Sequence, residues 1–155
     1  CLALAVVVYG AVGYGFMDTV SLTVARMEDE RQVPFELALD TAPVLVVSWD
    51  CPDCRRLLTD LHTRLVRGTP LAVVFTYSEW LDPTMARQTA LAKASQFGLC
   101  DDPDIHLFLD KGFQVEAVPT LLVRYPGSSV SRRVMSPSIA GLDKVLERFP
   151  ADQGP

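Results

Sequence analysis

The chain has 155 residues, a formal net charge of −5 at pH 7 and 49% hydrophobic residues. This length predicts one domain, and the composition is that of an ordinary globular chain, which excludes a disordered or collagen-like protein. The acidic balance argues against wholesale binding to nucleic acid or to an anionic membrane surface, and four cysteines are too few for a small scaffold held together by disulfides.

The first segment differs in character from the rest of the chain. Residues 1–17 carry no charged side chain, and this mostly apolar run ends at Asp18. A helix of that length covers about 26 Å, slightly less than the roughly 30 Å hydrocarbon core of a bilayer. We therefore expect residues 1–17 to be a transmembrane anchor or the apolar part of an export signal, continued upstream of Cys1, with residues 18–155 as the folded domain. The flank that follows lacks an excess of Lys and Arg, which predicts that the domain lies outside the cytoplasm.

In chain order, the first predicted strand covers residues 21–24, where β-forming side chains alternate with others. Residues 28–40 have an acidic start and apolar positions that allow a helix, although Pro34 lies inside the segment and the pattern does not define the bounds of that helix. Residues 44–49 form a continuous apolar run after Pro43. That pattern is typical of a strand buried on both faces.

The chain then turns at residues 50–54 and enters a helix whose leucines recur at helical spacing until Gly68 and Pro70 stop it. Residues 71–77 predict a second buried strand. Two buried strands with a helix between them indicate a parallel pair joined by a right-handed crossover. The later predicted elements are a helix over residues 83–96 with Asp82 as its N-cap and Pro83 at its first position, a short helix over residues 104–111, strands over residues 120–125 and 131–135, and a C-terminal helix with an apolar stripe from Ile139 to Phe149.

One group of residues carries the candidate chemistry. Cys51 and Cys54 follow a buried strand and open a helix, a context that makes a CxxC motif considerably more specific. A helix N-terminus presents unpaired N–H groups and partial positive charge, which favour a thiolate there. Pro52 falls at the first helical position, where its missing N–H costs nothing. Two intervening residues let the sulfurs close a small disulfide, with an exposed first sulfur that attacks and a second sulfur that resolves the mixed disulfide.

The motif Trp-Asp-Cys-Pro-Asp-Cys at residues 49–54, with Val-Pro-Thr at residues 118–120 opening a later strand, resembles the thioredoxin superfamily. The resemblance implies that Cys51 is the nucleophile, that Cys54 resolves the mixed disulfide, and that Pro119 follows a cis peptide bond and faces the disulfide. It also assigns the groove for an extended client chain to Val118, Pro119, Thr120 and Trp49.

The resemblance covers about residues 19–149 and implies the fold class: α/β, thioredoxin-like, with a central mixed β-sheet flanked by helices. The chain between the two motifs is longer than a minimal member needs, so we expect a small helical insertion between Tyr77 and Asp104. With its N-terminal apolar anchor, the protein is similar to membrane-tethered, extracytoplasmic thiol–disulfide oxidoreductases of bacteria, of the Dsb type or associated with conjugation systems.

Departures from the family pattern affect the expected chemistry. Leu45 stands where many members carry a buried acid that relays the proton of the second thiol, so proton transfer must use water or another group. Asp50 and Asp53, which with Pro52 are the candidate residues for tuning the thiol pKa, disfavour a thiolate and predict a less oxidising couple. Val118 before the proline resembles oxidases of the family and points the other way.

We predict a thiol–disulfide oxidoreductase that acts on protein clients outside the cytoplasm and needs no metal and no cofactor beyond its own disulfide. A redox partner, a membrane protein or another thioredoxin-like protein, must recycle the pair, and no nucleic-acid partner is expected. Two alternatives stay open. One is a binding or assembly module of a membrane machine with a non-catalytic CxxC, and the other is copper or zinc handling by the thiolates. Cys100 is expected to be a core or subsurface thiol, and Trp80 to lie near the surface, with a client-binding patch as its alternative role.

Overall fold

The fold consists of strands and helices within residues 23–34, 39–64, 68–78, 80–111, 117–129 and 131–149, which the computed structural model describes. The strands are β1 (Thr23–Arg26), β2 (Gln32–Pro34), β3 (Val44–Val47), β4 (Leu71–Tyr77), β5 (Ile105–Lys111), β6 (Thr120–Arg124) and β7 (Ser131–Met135). The helices are α1 (Pro52–Arg64), α2 (Pro83–Gln96) and α3 (Ile139–Leu146).

The seven strands pair in the order β2–β1–β5–β4–β3–β6–β7 and form a mixed sheet. Strands β3, β4 and β5 are parallel neighbours, whereas the pairs β1–β2, β1–β5, β3–β6 and β6–β7 are antiparallel. The steps from β3 to β4 and from β4 to β5 go the same way across the sheet. Right-handed crossovers therefore place α1 and α2 on the same face, and both helices contribute to one hydrophobic cluster there.

Strand β3 shows why a continuous apolar run was required. All four of its residues are buried. Because alternate strand residues point to opposite faces, Leu45 and Val47 join the cluster under the helices, whereas Val44 and Val46 join a second cluster on the other face. The predicted strand buried on both faces is confirmed over residues 44–47, and it ends two residues earlier than predicted, ahead of the turn that leads to Cys51.

Helix α2 has the bounds that the sequence predicts. The Asp82 carboxylate accepts hydrogen bonds from the N–H groups of Thr84 and Met85 at 3.0 and 3.1 Å, and Pro83 occupies the first turn. Its buried residues are all alanines, whose small side chains let the helix lie close to the sheet: Ala86, Ala90 and Ala94. The helix is the crossover between the parallel strands β4 and β5, so it belongs to the connectivity of the sheet and is not the extra helical insertion expected between Tyr77 and Asp104.

Two expectations about local structure are wrong. The segment 104–111 is not a helix, because residues 105–111 form strand β5 and pair with β4 along its whole length. Short apolar runs do not distinguish a buried strand from a buried helix by pattern alone, and pairing decided this one. The helix allowed over residues 28–40 is replaced at residues 32–34 by the edge strand β2, where the missing N–H of Pro34 is tolerated.

The N-terminal predictions are only partly accessible. The predicted strand over residues 21–24 overlaps β1 at its last two positions, and residues 1–22 lie outside the described part of the chain. The proposed anchor over residues 1–17 and the domain boundary after it therefore stay predictions. None of the helices in the described segments combines the length and the apolar character needed to cross a membrane.

Candidate active site

The cysteine pair lies at the junction between β3 and α1. Strand β3 ends at Val47, and the turn after it is closed by the Cys51 N–H, which donates to the Ser48 carbonyl at 3.3 Å. The Arg55 N–H donates to the Cys51 carbonyl at 3.1 Å, so the helical hydrogen bonds begin at Cys51 itself. Pro52 is the first residue of the helix, as predicted, where no N–H partner is needed.

The Cys51 sulfur is half-buried and has two polar contacts. The backbone N–H of Cys54 donates to Sγ of Cys51 at 3.2 Å, so this sulfur takes the place of an N-cap acceptor. The thiol in turn donates to the Val118 carbonyl at 3.4 Å. An N–H donor aimed at sulfur stabilises negative charge on it, and the thiolate is the form that attacks a disulfide.

Cys54 has the opposite environment. Its side chain is fully buried within the core cluster under the helices. Burial, followed by the hydrogen bond with Cys51 and the nearby charges of Cys51 and Asp53, raises the pKa of the Cys54 thiol to about 12. At neutral pH this thiol is protonated, so it must lose its proton before it attacks a mixed disulfide.

The loop before β6 faces Cys51. The Val118–Pro119 peptide bond is cis, as the resemblance implied. Val118 is half-buried and presents its carbonyl to Cys51, whereas Pro119 is buried and its own carbonyl accepts from the Ser136 N–H at 2.8 Å. Thr120 is fully buried, and its hydroxyl donates to the Ala117 carbonyl at 2.6 Å. The Thr120 side chain therefore stabilises the loop from inside, and Val118 supplies the contact with the cysteine.

Both candidate tuning carboxylates lie at the surface of the site. Asp50 is exposed, and its backbone N–H donates to the Ser48 hydroxyl at 3.4 Å. Asp53 is exposed and forms an ion pair with Arg56 at 3.8 Å. Exposed pairs of this kind contribute little to stability, and the Asp53 charge still acts on the Cys54 thiol.

The carboxylate of Asp110, which was not expected from the sequence, is half-buried near the end of β5. Leu45, at the position of the missing acid, is fully buried among apolar side chains. Asp110 lies near the end of β5 opposite Thr76 on β4, and burial raises its pKa to about 6, opposed by a hydrogen bond from the Lys111 N–H. A correct prediction of residues 105–111 as a strand parallel to β4 would have placed Asp110 at this end of the sheet.

Aromatic side chains adjoin the cysteine junction. Trp49 is half-buried, packs against the core and stacks on Tyr77, with ring centroids 6.3 Å apart and planes at 17°. Trp80, which precedes α2, is 95% exposed. These three rings and Asp50 are among the residues that line a groove of about 640 Å³. Trp49 was predicted to contact the client, and it lies between the core and this groove.

The third described cysteine is not where it was expected. Cys100 is exposed and not in the core, because the chain leaves α2 through Gly98, buries Leu99 and turns outward. Partial desolvation of the thiol, and then the charge of Asp101, raise its pKa. All three described cysteines are free thiols. Among the described residues no group of three or more His, Cys, Asp or Glu side chains is placed to hold a metal ion, so metal handling by Cys51 and Cys54 would need ligands from elsewhere.

Comparisons with known proteins agree on the fold. No family model matches the sequence, and no curated protein matches it. A thioredoxin-like protein from Aeropyrum pernix aligns with a TM-score of 0.58 at 16% identity, over 92% of this chain and 98% of that one. A secreted Mycobacterium tuberculosis disulfide oxidoreductase homologous to E. coli DsbE aligns with a TM-score of 0.56 at 14% identity, over 82% and 95% of the two chains. DsbF of M. tuberculosis, in its mixed oxidised and reduced forms, gives 0.55 at 15% identity, over 83% and 94%. The chain therefore has a thioredoxin-like α/β fold.

Proposed function

We propose that this thioredoxin-like chain is a thiol–disulfide oxidoreductase that acts on protein clients outside the cytoplasm through Cys51 and Cys54. The observation that carries the proposal is the difference between the two sulfurs. Cys51 is half-buried, with a backbone N–H donor on its sulfur, whereas Cys54 is one helical turn further on and fully buried. Two of the similar solved structures are named as disulfide oxidoreductases or Dsb proteins, one of them secreted, which supports the same chemistry and location.

The reaction takes place in two exchanges. In the reducing direction the Cys51 thiolate attacks one sulfur of a client disulfide, and the other client sulfur leaves as a thiolate, which gives a mixed disulfide. Cys54 then loses its proton to water and attacks Cys51, and the second client sulfur leaves. Two electrons pass to the client, and the Cys51–Cys54 disulfide forms. The oxidising direction is the reverse of these steps.

The surroundings of the pair favour the reducing direction. A strongly oxidising couple depends on a stabilised reduced form. Here the exposed carboxylates of Asp50 and Asp53 flank Cys51 in the chain and oppose negative charge on its sulfur, against the N–H that Cys54 donates to it. We therefore expect a reduction potential near that of thioredoxin, about −250 mV or below, and not near the roughly −120 mV of a strong oxidase.

The partners follow from the same chemistry. A client chain would lie extended beside Val118, whose carbonyl faces Cys51. The Cys51–Cys54 disulfide is the only redox group that the reaction requires. A second redox protein, bound to the membrane, would return the pair to its reduced state. The uncharged residues 1–17 would hold the domain at the outer face of that membrane.

The test is the reduction of insulin disulfides by dithiothreitol, with and without the full chain. We expect the wild-type protein to accelerate the reaction and the double variant Cys51→Ser/Cys54→Ser to leave it at the uncatalysed rate. A wild-type protein that gives no acceleration would contradict the proposal. If the double variant then kept every partner and phenotype of the wild type, the chain would be a binding module with a non-catalytic CxxC.

A further inference from the structure

The groove beside the cysteine junction, which we call the Trp80 groove, combines aromatic rings with the carboxylate of Asp50. It is lined among others by Trp49, Asp50, Tyr77, Trp80 and Leu81 and has a volume of about 640 Å³. Asp50, which lines the groove, precedes Cys51 in the chain, although Cys51 itself is not one of the lining residues. Trp80 is 95% exposed at this rim, so the faces of its indole ring are open to a ligand.

The charged side chain among the described lining residues of the Trp80 groove is negative. Of the described residues that line it, none is Lys or Arg, and Asp50 supplies a negative charge. Two further carboxylates act on it from outside, because burial and then the charges of Asp110 and Asp82 raise the pKa of Tyr77 in its wall. Neither Asp50 nor Asp82 takes part in an ion pair with another described residue.

Two basic side chains on the neighbouring elements α2 and β5 do not line the Trp80 groove. Arg87 on α2 forms an ion pair with Glu30 at 3.1 Å and donates to the Met27 carbonyl at 2.8 Å, so its charge is directed to the loop after β1. Lys111 is the strand partner of Tyr77 at the end of β5, but it is exposed and does not line the groove. The Trp80 groove therefore lacks a cation of its own among the described residues.

We propose that the Trp80 groove binds an Arg or Lys side chain of the client, within a few residues of the client cysteine that reacts with Cys51. The inference rests on the proposed thiol–disulfide exchange and adds to it a class of substrate, client segments that are basic beside their cysteine. An exposed indole attracts a cation through its ring face, and the Asp50 carboxylate in the lining strengthens that attraction. An acidic client segment would meet repulsion from Asp50 in the same place.

The test uses three peptides, each closed by one disulfide and identical except for two positions beside the first cysteine, which are both Arg, both Gln or both Glu. The second-order rate constant for their reduction by the full-length dithiol protein is measured by stopped flow. We expect the Arg peptide to react about threefold faster or more than the Gln peptide, and the Glu peptide to react more slowly than both. The order should weaken in 0.5 M salt, because surface charges are then screened.

Variants locate the effect. Trp80→Ala should bring the Arg-to-Gln rate ratio towards one, whereas Met85→Ala, an exposed control on α2 outside the groove, should keep the wild-type ratio. Equal rates for the three peptides, or an unchanged ratio in Trp80→Ala, would overturn the proposal. If the protein reduces no disulfide at all, the proposed function fails separately, and the groove is judged by tryptophan fluorescence with cysteine-free peptides. Stronger binding of the Arg form than of the Glu form would then support it, and equal binding would refute it.

Discussion

Cys51 lies at the start of helix α1 and Cys100 follows the end of helix α2, and the surroundings of the two thiols differ. Cys51 precedes the first residue of α1, where the Cys54 N–H points at its sulfur. Cys100 follows the end of α2, where the described contact of its sulfur is the Leu91 carbonyl, an acceptor, at 4.0 Å. Cys51 is half-buried opposite the Val118 carbonyl, whereas Cys100 is exposed beside Asp101.

Exposure alone does not make a thiol reactive. The start of a helix offers N–H donors and positive potential, whereas its end offers carbonyl oxygens and negative potential. Cys100 is the more exposed of the two residues, yet its surroundings raise the pKa of its thiol and so reduce the thiolate fraction at neutral pH. A second cysteine one turn inside the helix is also present only at the α1 site.

The largest expected effect separates the two cysteines by substitution. Cys51→Ser should remove catalysed disulfide reduction entirely, because it removes the attacking sulfur. Cys100→Ser should retain the wild-type rate, because no step uses that thiol. Rates are measured with insulin and dithiothreitol on the full chain. A loss of activity in Cys100→Ser, with unchanged thermal unfolding, would show that the comparison has assigned the reactive cysteine wrongly.

The next effect concerns the resolving thiol. Cys54→Ser should stop turnover but still let Cys51 attack, so that a mixed disulfide with the client accumulates. Non-reducing electrophoresis and mass spectrometry of the trapped species should locate the bond at Cys51. Cys51→Ser is the matched control and should trap no client through Cys54, which is fully buried. Equal trapping by the two single variants would contradict the division of roles.

Substitution of Asp110 tests whether an ionised carboxylate near the end of β5 lowers the stability of the fold. The pKa of Asp110 is raised from its ordinary value of 3.8 to about 6, so the fold holds this proton more tightly than the unfolded chain does. The resulting stabilisation is complete below about pH 4 and is lost as the pH rises through about 6. Asp110→Asn, which stays neutral, should therefore be more stable than wild type at pH 7 by about 1–3 kcal/mol.

The measurement for Asp110→Asn is urea unfolding at pH 4 and at pH 7. The gain should shrink towards zero at pH 4, where the wild-type carboxyl is protonated as well. Asp102→Asn, a change of the same kind at an acid of the loop before β5, serves as the control for general charge effects. A gain that is the same at both values of pH would show that Asp110 is not the group that titrates.

The smallest expected effect concerns the alkylation rate of the Cys100 thiol. Alkylation by iodoacetamide at pH 7 should modify Cys51 roughly tenfold faster than Cys100, and Cys54 more slowly than either. Asp101→Asn should raise the rate at Cys100 by a few-fold, because it removes a charge that raises the pKa of that thiol. Peptide mapping by mass spectrometry gives the three rates. An Asp101→Asn rate below the wild-type rate would reverse the argued sign.

Much of the fold was predictable because its central elements depend on local patterns. The buried runs at β3 and β4 and the proline-led, acid-capped start of α2 are each complete within a short window of sequence. Strand β5 was not predictable in this way, since its apolar residues fit a helix equally well and only pairing with β4 decides. The exposure of Cys100 likewise depends on how the chain leaves α2.

The candidate site divides along the same line. Cys51, Cys54 and the cis bond before Pro119 were expected from motif and resemblance. The half-buried Asp110 and the Trp80 groove were not expected, because strands and loops distant in sequence form them. Local sequence specified the attacking group, and tertiary pairing specified its surroundings.

The most direct test of the central claim is the reduction potential of the Cys51–Cys54 pair. The full chain is equilibrated in graded glutathione buffers, free thiols are trapped, and the pair is weighed by mass spectrometry. We expect one two-electron transition at about −250 mV or below, with Cys100 outside it. A transition near about −120 mV would contradict the reducing role, and a pair that never titrates would contradict the proposed chemistry itself.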